Sequence, residues 1–193
     1  MEHCDIQFRT IYKDRRQIEN PLVDELMAWC IQLDRTGFAP ECAGNLSVRT
    51  KQGFIITTFK SDFSSMSKDD FSEVLSVDMQ KKQAYANGSK DPSSETFLHH
   101  AIYSARKDAN AVFHAHCDAF LEQNDKLNLP ITAEEKPAGS LELVDEVLKI
   151  LDGNNFILLK NHGFAAIGDS IGSAGNLVMK RYNQLERIKR SIS

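Results

Sequence analysis

His114 and His116 enclose a single alanine. On a strand, the first and third side chains of that triplet leave the same face, so two imidazoles can converge on one cation. Two histidines that only hydrogen-bond on a half-buried strand fit the pattern as well. His162 stands in Lys160-Asn161-His162-Gly163, a tight turn between two apolar runs. A histidine there can reach into a cleft at the strand ends, or simply face water. Three histidines with a fourth position open form a recurrent catalytic zinc arrangement, in which the ion polarises a carbonyl and stabilises the adjacent enolate. Cys117 would point to the opposite face of the strand and is a poor ligand despite its proximity.

Two further segments carry groups that suit an anionic substrate. In Asp91-Pro92-Ser93-Ser94-Glu95, the hydroxyls of Ser93 and Ser94 join free N–H groups at a helix start, a natural phosphate site. Glu95 can serve there as a base if it faces the metal. Plain N-capping with an acidic first turn accounts for the same residues. In Gly44-Asn45-Leu46-Ser47-Val48-Arg49, glycine permits close backbone approach to a ligand and the Asn45 amide can donate to phosphate. An ordinary turn before a strand has the same composition.

The elements that must hold these residues alternate along the chain. A helix is expected from Pro21, capped by Asn20, carrying Leu22, Val23, Leu26, Met27, Cys30 and Leu33, and ending at Gly37. Strands follow at Leu46–Thr50 and Phe54–Phe59, with a mixed stretch around Phe71–Asp78 and a strand at Tyr85–Asn87. Ser94 caps a second helix running to Ala105, with Leu98, Ile102 and Ala105 inward. Ala111–His116 reads as a strand and Cys117–Gln123 as a short helix. Ser140 caps a helix with Leu141, Val144, Val147, Leu148 and Leu151 inward. Strands at Phe156–Leu159 and Phe164–Ile167 flank the His162 turn, and a last helix starts near Ser170. Alternating helices and strands argue a sheet with helices on its faces.

Length and composition narrow the function classes. The 193 residues fit one domain with a sizeable core, residues 1–193, and no linker or repeat is visible. The net charge of −4 argues against a nucleic-acid or anionic-membrane partner. No apolar run reaches a membrane span, and the start at Met1 lacks a basic region followed by an apolar stretch, so the cytoplasm is the expected compartment. Cys4, Cys30, Cys42 and Cys117 are scattered and read as free thiols. Lys180, Arg181, Arg187, Lys189 and Arg190 form the wet face of the last helix.

In this order, the motifs resemble the class II aldolase/adducin family, which joins sugar-phosphate aldolases, epimerases and dehydratases with the adducin head domain. The resemblance rests on Gly44-Asn45-Leu46-Ser47-Val48-Arg49, Ile55-Ile56-Thr57, Ser93-Ser94-Glu95, His99 with Tyr103, Asp108–Val112, His114-Ala115-His116, Gly139–Leu143 and Asn161-His162-Gly163. It implies a three-layer α/β/α sandwich around a mixed, largely antiparallel sheet. It implies Zn2+, or another divalent metal, on His114, His116 and His162, and Glu95 as the acid/base residue. Asn45, Ser93 and Ser94 match phosphate-binding positions. His99, four residues after Glu95 on the same helix face, matches a position suited to orienting that carboxylate; His100 does not match and reads as a surface histidine. The implied reaction is aldol cleavage of a small ketose phosphate by a homo-oligomer, such as a tetramer.

Some features depart from the family. Thr58-Phe59-Lys60-Ser61 replaces the usual Pro, Ser or Thr, and Gly of the phosphate loop. No tyrosine lies between His116 and His162, where the family's aldolases place a proton donor, and no site-closing tail is expected after the last helix. Tyr103 and Tyr182 are expected to pack rather than to donate protons. Two alternatives therefore stand beside cleavage: dehydration of a ketose phosphate of the methylthioribulose-phosphate type, and an adducin-like binding domain without chemistry. Glu95, where epimerases typically carry Asp, speaks for cleavage or dehydration.

Overall fold

The computed structural model describes residues 5–40 and 43–192, so Cys4 and Cys42 lie outside the described residues. The chain begins with strand β1 (Arg9–Asp14) and helix α1 (Pro21–Arg35). Asn20 caps α1 by accepting from the Leu22 N–H at 3.0 Å, and Pro21 occupies the first helical position. Strands β2 (Asn45–Arg49), β3 (Phe54–Thr57), β4 (Phe71–Asp78) and β5 (Gln83–Asn87) follow. Next come α2 (Thr96–Ala105), β6 (Ala111–Ala115) and two short helices, α3 (Asp118–Glu122) and α4 (Asn124–Leu127). Helix α5 (Leu141–Ile150), β7 (Phe156–Leu159), β8 (Gly163–Gly168) and α6 (Ile171–Ile192) complete the order.

The eight strands form one sheet in the order β1-β5-β4-β3-β2-β6-β8-β7. Every pairing is antiparallel except β1 with β5, which is parallel. The sheet is thus mixed and largely antiparallel, as expected. Alternating side chains divide the core in two. One half sets Leu46, Phe113 and Phe164 against Leu26 and Leu33 of α1 and Val178 of α6. The other sets Ile56, Val112 and Ile157 against Ile102 of α2 and Val147 of α5. Helices on both faces make the three layers. Cys30 and Cys117 are free thiols, both on the α1/α6 side. Among the described residues no helix is long and apolar enough to cross a membrane.

Several boundaries differ from the sequence expectation. Strand β1 is not signalled in the sequence, because Arg9, Lys13 and Asp14 break its apolar alternation; pairing with β5 forms it. In α5, Leu143 is buried while Leu148 is 40% exposed, since the buried stripe runs through Leu143, Val144, Val147 and Leu151. Ala105 ends α2 on the solvent side, and Ala101 takes its inward place. Helix α2 begins one residue later than expected: Glu95, not Ser94, holds the N-cap position, and its side chain caps nothing. Its carboxylate is drawn elsewhere.

Candidate active site

Four segments meet at one end of the central strands. Asn45 opens β2 and pairs with His114 on β6. His116 follows the last residue of β6, and His162 sits in the turn between β7 and β8, closed by a 3.0 Å bond from the His162 N–H to the Leu159 carbonyl. Asn161 takes a left-handed conformation there (φ 55°), and its amide donates to Glu135 at 2.6 Å, bracing the turn. Two glycines let these backbones close up. A Cβ on Gly44 (φ 119°) would lie 3.0 Å from the His114 carbonyl oxygen, and one on Gly163 would lie 2.4 Å from that of Ala115. The close approach at Gly44 is therefore made by β6.

The three imidazoles form a triangle with ring centroids 4.8–5.1 Å apart. Their candidate ligand atoms all lie within 4.8 Å of one another. His114 Nδ1 donates to the Phe164 carbonyl at 2.9 Å, which leaves the Nε2 lone pair facing the triangle. His114 Nε2 lies 3.1 Å from His116 Nε2. Two nitrogens bound at zinc distance in a tetrahedron sit about 3.4 Å apart. Cys117 packs toward the other core half, as expected.

Glu95 enters this triangle from the head of α2. Its Oε2 lies 2.9 Å from His114 Nε2, and its Oε1 lies 3.7 Å from His162 Nε2. Glu95 is only 3% exposed, yet Oε1 has no hydrogen-bond partner, nor has His162 Nδ1. Burial alone would raise the Glu95 carboxyl; the neighbouring His114 and His162 rings and the hydrogen bond from the Asn45 amide outweigh it and hold the carboxyl well below the usual carboxylate range. Burial, reinforced by His114 and His162, pushes the His116 imidazole down to about 3. Burial also lowers His162, against the pull of Glu95. The His116 and His162 imidazoles, both lowered by burial, and a carboxylate crowded against His114 with its Oε1 orphaned suit a shared cation. The residues present therefore fit a divalent metal.

The other expected residues surround this centre. Asn45 spends both ends of its amide inside the protein: Nδ2 donates to Glu95 Oε2 at 2.8 Å, and Oδ1 accepts from His99 Nε2 at 2.6 Å. His99 thus meets Asn45 rather than Glu95 itself. Ser93 accepts from the Glu95 N–H at 3.3 Å, and Ser94 is buried beside it under Gly139. The Ser93 N–H donates to the Thr57 carbonyl, which lays the Thr58–Ser61 turn along the serine pair. In that turn Lys60 holds a left-handed backbone (φ 57°) at the position where glycine was expected. A cleft of about 320 Å³ opens beside His116, lined by Phe38, Tyr182, Leu185 and Lys189 among others. Tyr182 packs edge-on against Phe38. His100 is half-buried on the outer side of α2; of the basic residues on α6 only Arg181 is drawn partly inward, while the other four are exposed.

Sequence reasoning missed two members of the site. The Tyr103 ring packs against Phe54 as expected, but its hydroxyl meets Ser47 Oγ at 2.7 Å. Ser47 in turn meets His99 Nδ1 at 2.6 Å. A signal was present: Asn45, Ser47 and Arg49 share one face of a strand whose other face, Leu46 and Val48, is apolar, and Glu95, His99 and Tyr103 recur every four residues.

With this geometry in place, comparison with known proteins is direct. Residues 24–181 match the family described as the Class II Aldolase and Adducin N-terminal domain. An L-fuculose phosphate aldolase of Escherichia coli K12 is 30% identical over 162 residues, covering 76% of this chain and 73% of that protein. A 5-methylthioribulose-1-phosphate/5-deoxyribulose-1-phosphate aldolase of Escherichia coli O45:K1 (strain S88) is 27% identical over 161 residues, with the same two shares. The solved structure of an L-fuculose 1-phosphate aldolase superposes with a TM-score of 0.75 at 25% identity, covering 91% of this chain and 88% of that one.

Proposed function

The chain belongs to the class II aldolase and adducin family and is an enzyme of the aldolase type; from that premise we propose that it is a zinc-dependent lyase that cleaves a small ketose phosphate by retro-aldol chemistry. The observation that carries this reading is the buried Glu95 carboxylate, in contact with His114 through Oε2 and with Oε1 left without a hydrogen-bond partner near His162, beside three converging histidines. His114, His116 and His162 are the residues that would hold the ion. When bound, such an ion supplies Lewis-acid polarisation of a carbonyl and stabilises the negative charge that develops beside it.

The chain's own groups do the rest. The Phe164 carbonyl fixes the His114 ring, so that its Nε2 faces inward. Glu95 is ionised at rest, takes up the substrate hydroxyl's proton at Oε1 and later returns it. As the carbon–carbon bond breaks, a substrate hydroxyl loses its proton and becomes the aldehyde, and the bonding electrons pass to the enediolate. A proton returned to the enediolate carbon completes the ketone product. Ser93 and Ser94, at the N-terminal end of α2, are assigned the phosphate, with Asn45 at the border between phosphate and carboxylate. The enzyme is placed in the cytoplasm as a homo-oligomer; its two described thiols are unpaired, in keeping with a reducing compartment.

The test is zinc-loaded protein incubated with a panel of ketose phosphates, following aldehyde release and water loss together. Glu95→Gln should lower kcat by about 10²–10⁴-fold while leaving stoichiometric metal in place. Water loss without fragmentation would assign dehydration instead. Undiminished turnover in the variant would remove Glu95 from its role, and a wild type that binds no metal and releases no aldehyde would sink the lyase reading.

A further inference from the structure

The interior behind Glu95 holds polar side chains that the chemistry above leaves unused. Asn45, Ser47 and Arg49 line one face of β2; Glu95, His99 and Tyr103 line one stripe of α2. Two residues of strand advance about 6.7 Å and four residues of helix about 6 Å, so the two stripes stay in step. They meet rung by rung: Asn45 with Glu95, Ser47 with His99 and Tyr103, and Arg49 with the Tyr103 carbonyl at 2.8 Å. Asn45, Ser47, Glu95, His99 and Tyr103 are each no more than 4% exposed. Water is therefore not on hand to replace a missing partner.

We propose that Tyr103, Ser47, His99 and Asn45 form a one-directional hydrogen-bond relay that positions Glu95, occupying Oε2 and leaving Oε1 as the oxygen that exchanges a proton with substrate. The direction follows from the carboxylate. An ionised Glu95 accepts only, so the Asn45 atom 2.8 Å away is its amide nitrogen. The Asn45 oxygen then faces His99 Nε2 at 2.6 Å, and that nitrogen carries the hydrogen. In a neutral imidazole Nδ1 is then the acceptor, so Ser47 donates to it at 2.6 Å. Ser47 has spent its only hydrogen, and Tyr103 donates to it at 2.7 Å. Run the other way, the relay would set the Asn45 carbonyl against the carboxylate, two buried acceptors in contact. The far end is anchored: the Arg49 guanidinium lies 4.7 Å from the centre of the Tyr103 ring and bonds the carbonyls of Tyr103, Arg106 and Ala109. These are positioning residues, since Ser47, His99 and Tyr103 reach the reacting atoms only through Asn45 and Glu95.

This inference rests on the lyase reading for its kinetic consequence but not for its geometry, so the test has two arms. In the first, nitrogen-15 spectra of histidine-labelled protein at pH 7 report the His99 tautomer whether or not the protein turns over any substrate. The expected form is Nε2–H; an Nδ1–H or doubly protonated ring overturns the relay. In the second, Ser47→Ala and Tyr103→Phe are compared with Ser47→Thr, which keeps the hydroxyl. The alanine and phenylalanine variants should lose about tenfold in kcat with KM within about twofold. The threonine variant should recover most of kcat. Wild-type kcat in Tyr103→Phe, which preserves the ring and its packing, would overturn the relay even if Ser47→Ala fails to fold. An inactive wild type would overturn the lyase reading instead, and the tautomer would still decide the relay.

Discussion

At the scale of single residues, a buried carboxylate beside buried imidazoles is stable only when every lone pair meets a hydrogen or a cation. Most of the lone pairs here do, and the exceptions, Glu95 Oε1 and His162 Nδ1, lie at the centre of the chemistry. The interior also leaves a mark on stability. Burial holds the His99 imidazole down to about 3 from its ordinary 6.5. Below pH 6.5 the unfolded chain takes up a proton that folded His99 refuses, so this stability is full above that pH and drains away as the pH falls. From pH 7 to pH 5 the loss from His99 is about 2 kcal/mol. Urea unfolding of metal-free protein at the two pH values should show it, and His99→Gln should shrink the difference by about that amount. His116, also held at about 3, adds a loss of the same sign. That the three histidines and Glu95 would meet was legible from the ordered set of motifs, each of which alone also fits a plain structural role. Ser47 and Tyr103 were not, because a serine in a strand and a tyrosine in a helix acquire meaning only when the two elements face each other.

At the scale of elements, the close approach of β8 to β6 sets the histidine triangle. Gly163 faces Leu159 across the β7–β8 hairpin, and a side chain there would run into Ala115 and touch His116. Gly163→Ala should destabilise the fold by about 2–3 kcal/mol and displace His116 and His162 together. Competition with a colorimetric chelator should then show zinc affinity reduced tenfold or more. Helices α1 and α5 were legible from their caps, Asn20 and Ser140, whose side chains accept from Leu22 and Leu143 as the pattern requires. The start of α2 was misread by one residue for a chemical reason. Glu95 has the cap position but turns its side chain toward Asn45 and His114, so its carboxylate makes no local bond to the helix N-terminus. Strand β1 was hidden because an edge strand faces solvent on one side and tolerates Arg9 and Lys13 there.

At the scale of the whole molecule, the site ties together segments around positions 45, 95, 115 and 162, so anything bound there favours the folded chain over the unfolded one. Zinc at a hundredfold excess over its Kd should stabilise the protein by about 2.7 kcal/mol, and a chelator should remove that increment. A urea midpoint indifferent to both would mean that the histidine triangle does not hold the ion. The layering was legible from the alternation of helices and strands. The strand order was not, since no local pattern says that β2 lies between β3 and β6 or that β1 returns to β5. That last pairing has a consequence for how the chain is made. Arg9 aligns with Gln83, so β1 leaves the ribosome long before its partner exists, while β4 and β5 can close as a local hairpin as soon as both emerge. During synthesis β1 must wait as a loose strand, and the outer edge of β5 stays open to strangers until that strand comes back to cover it.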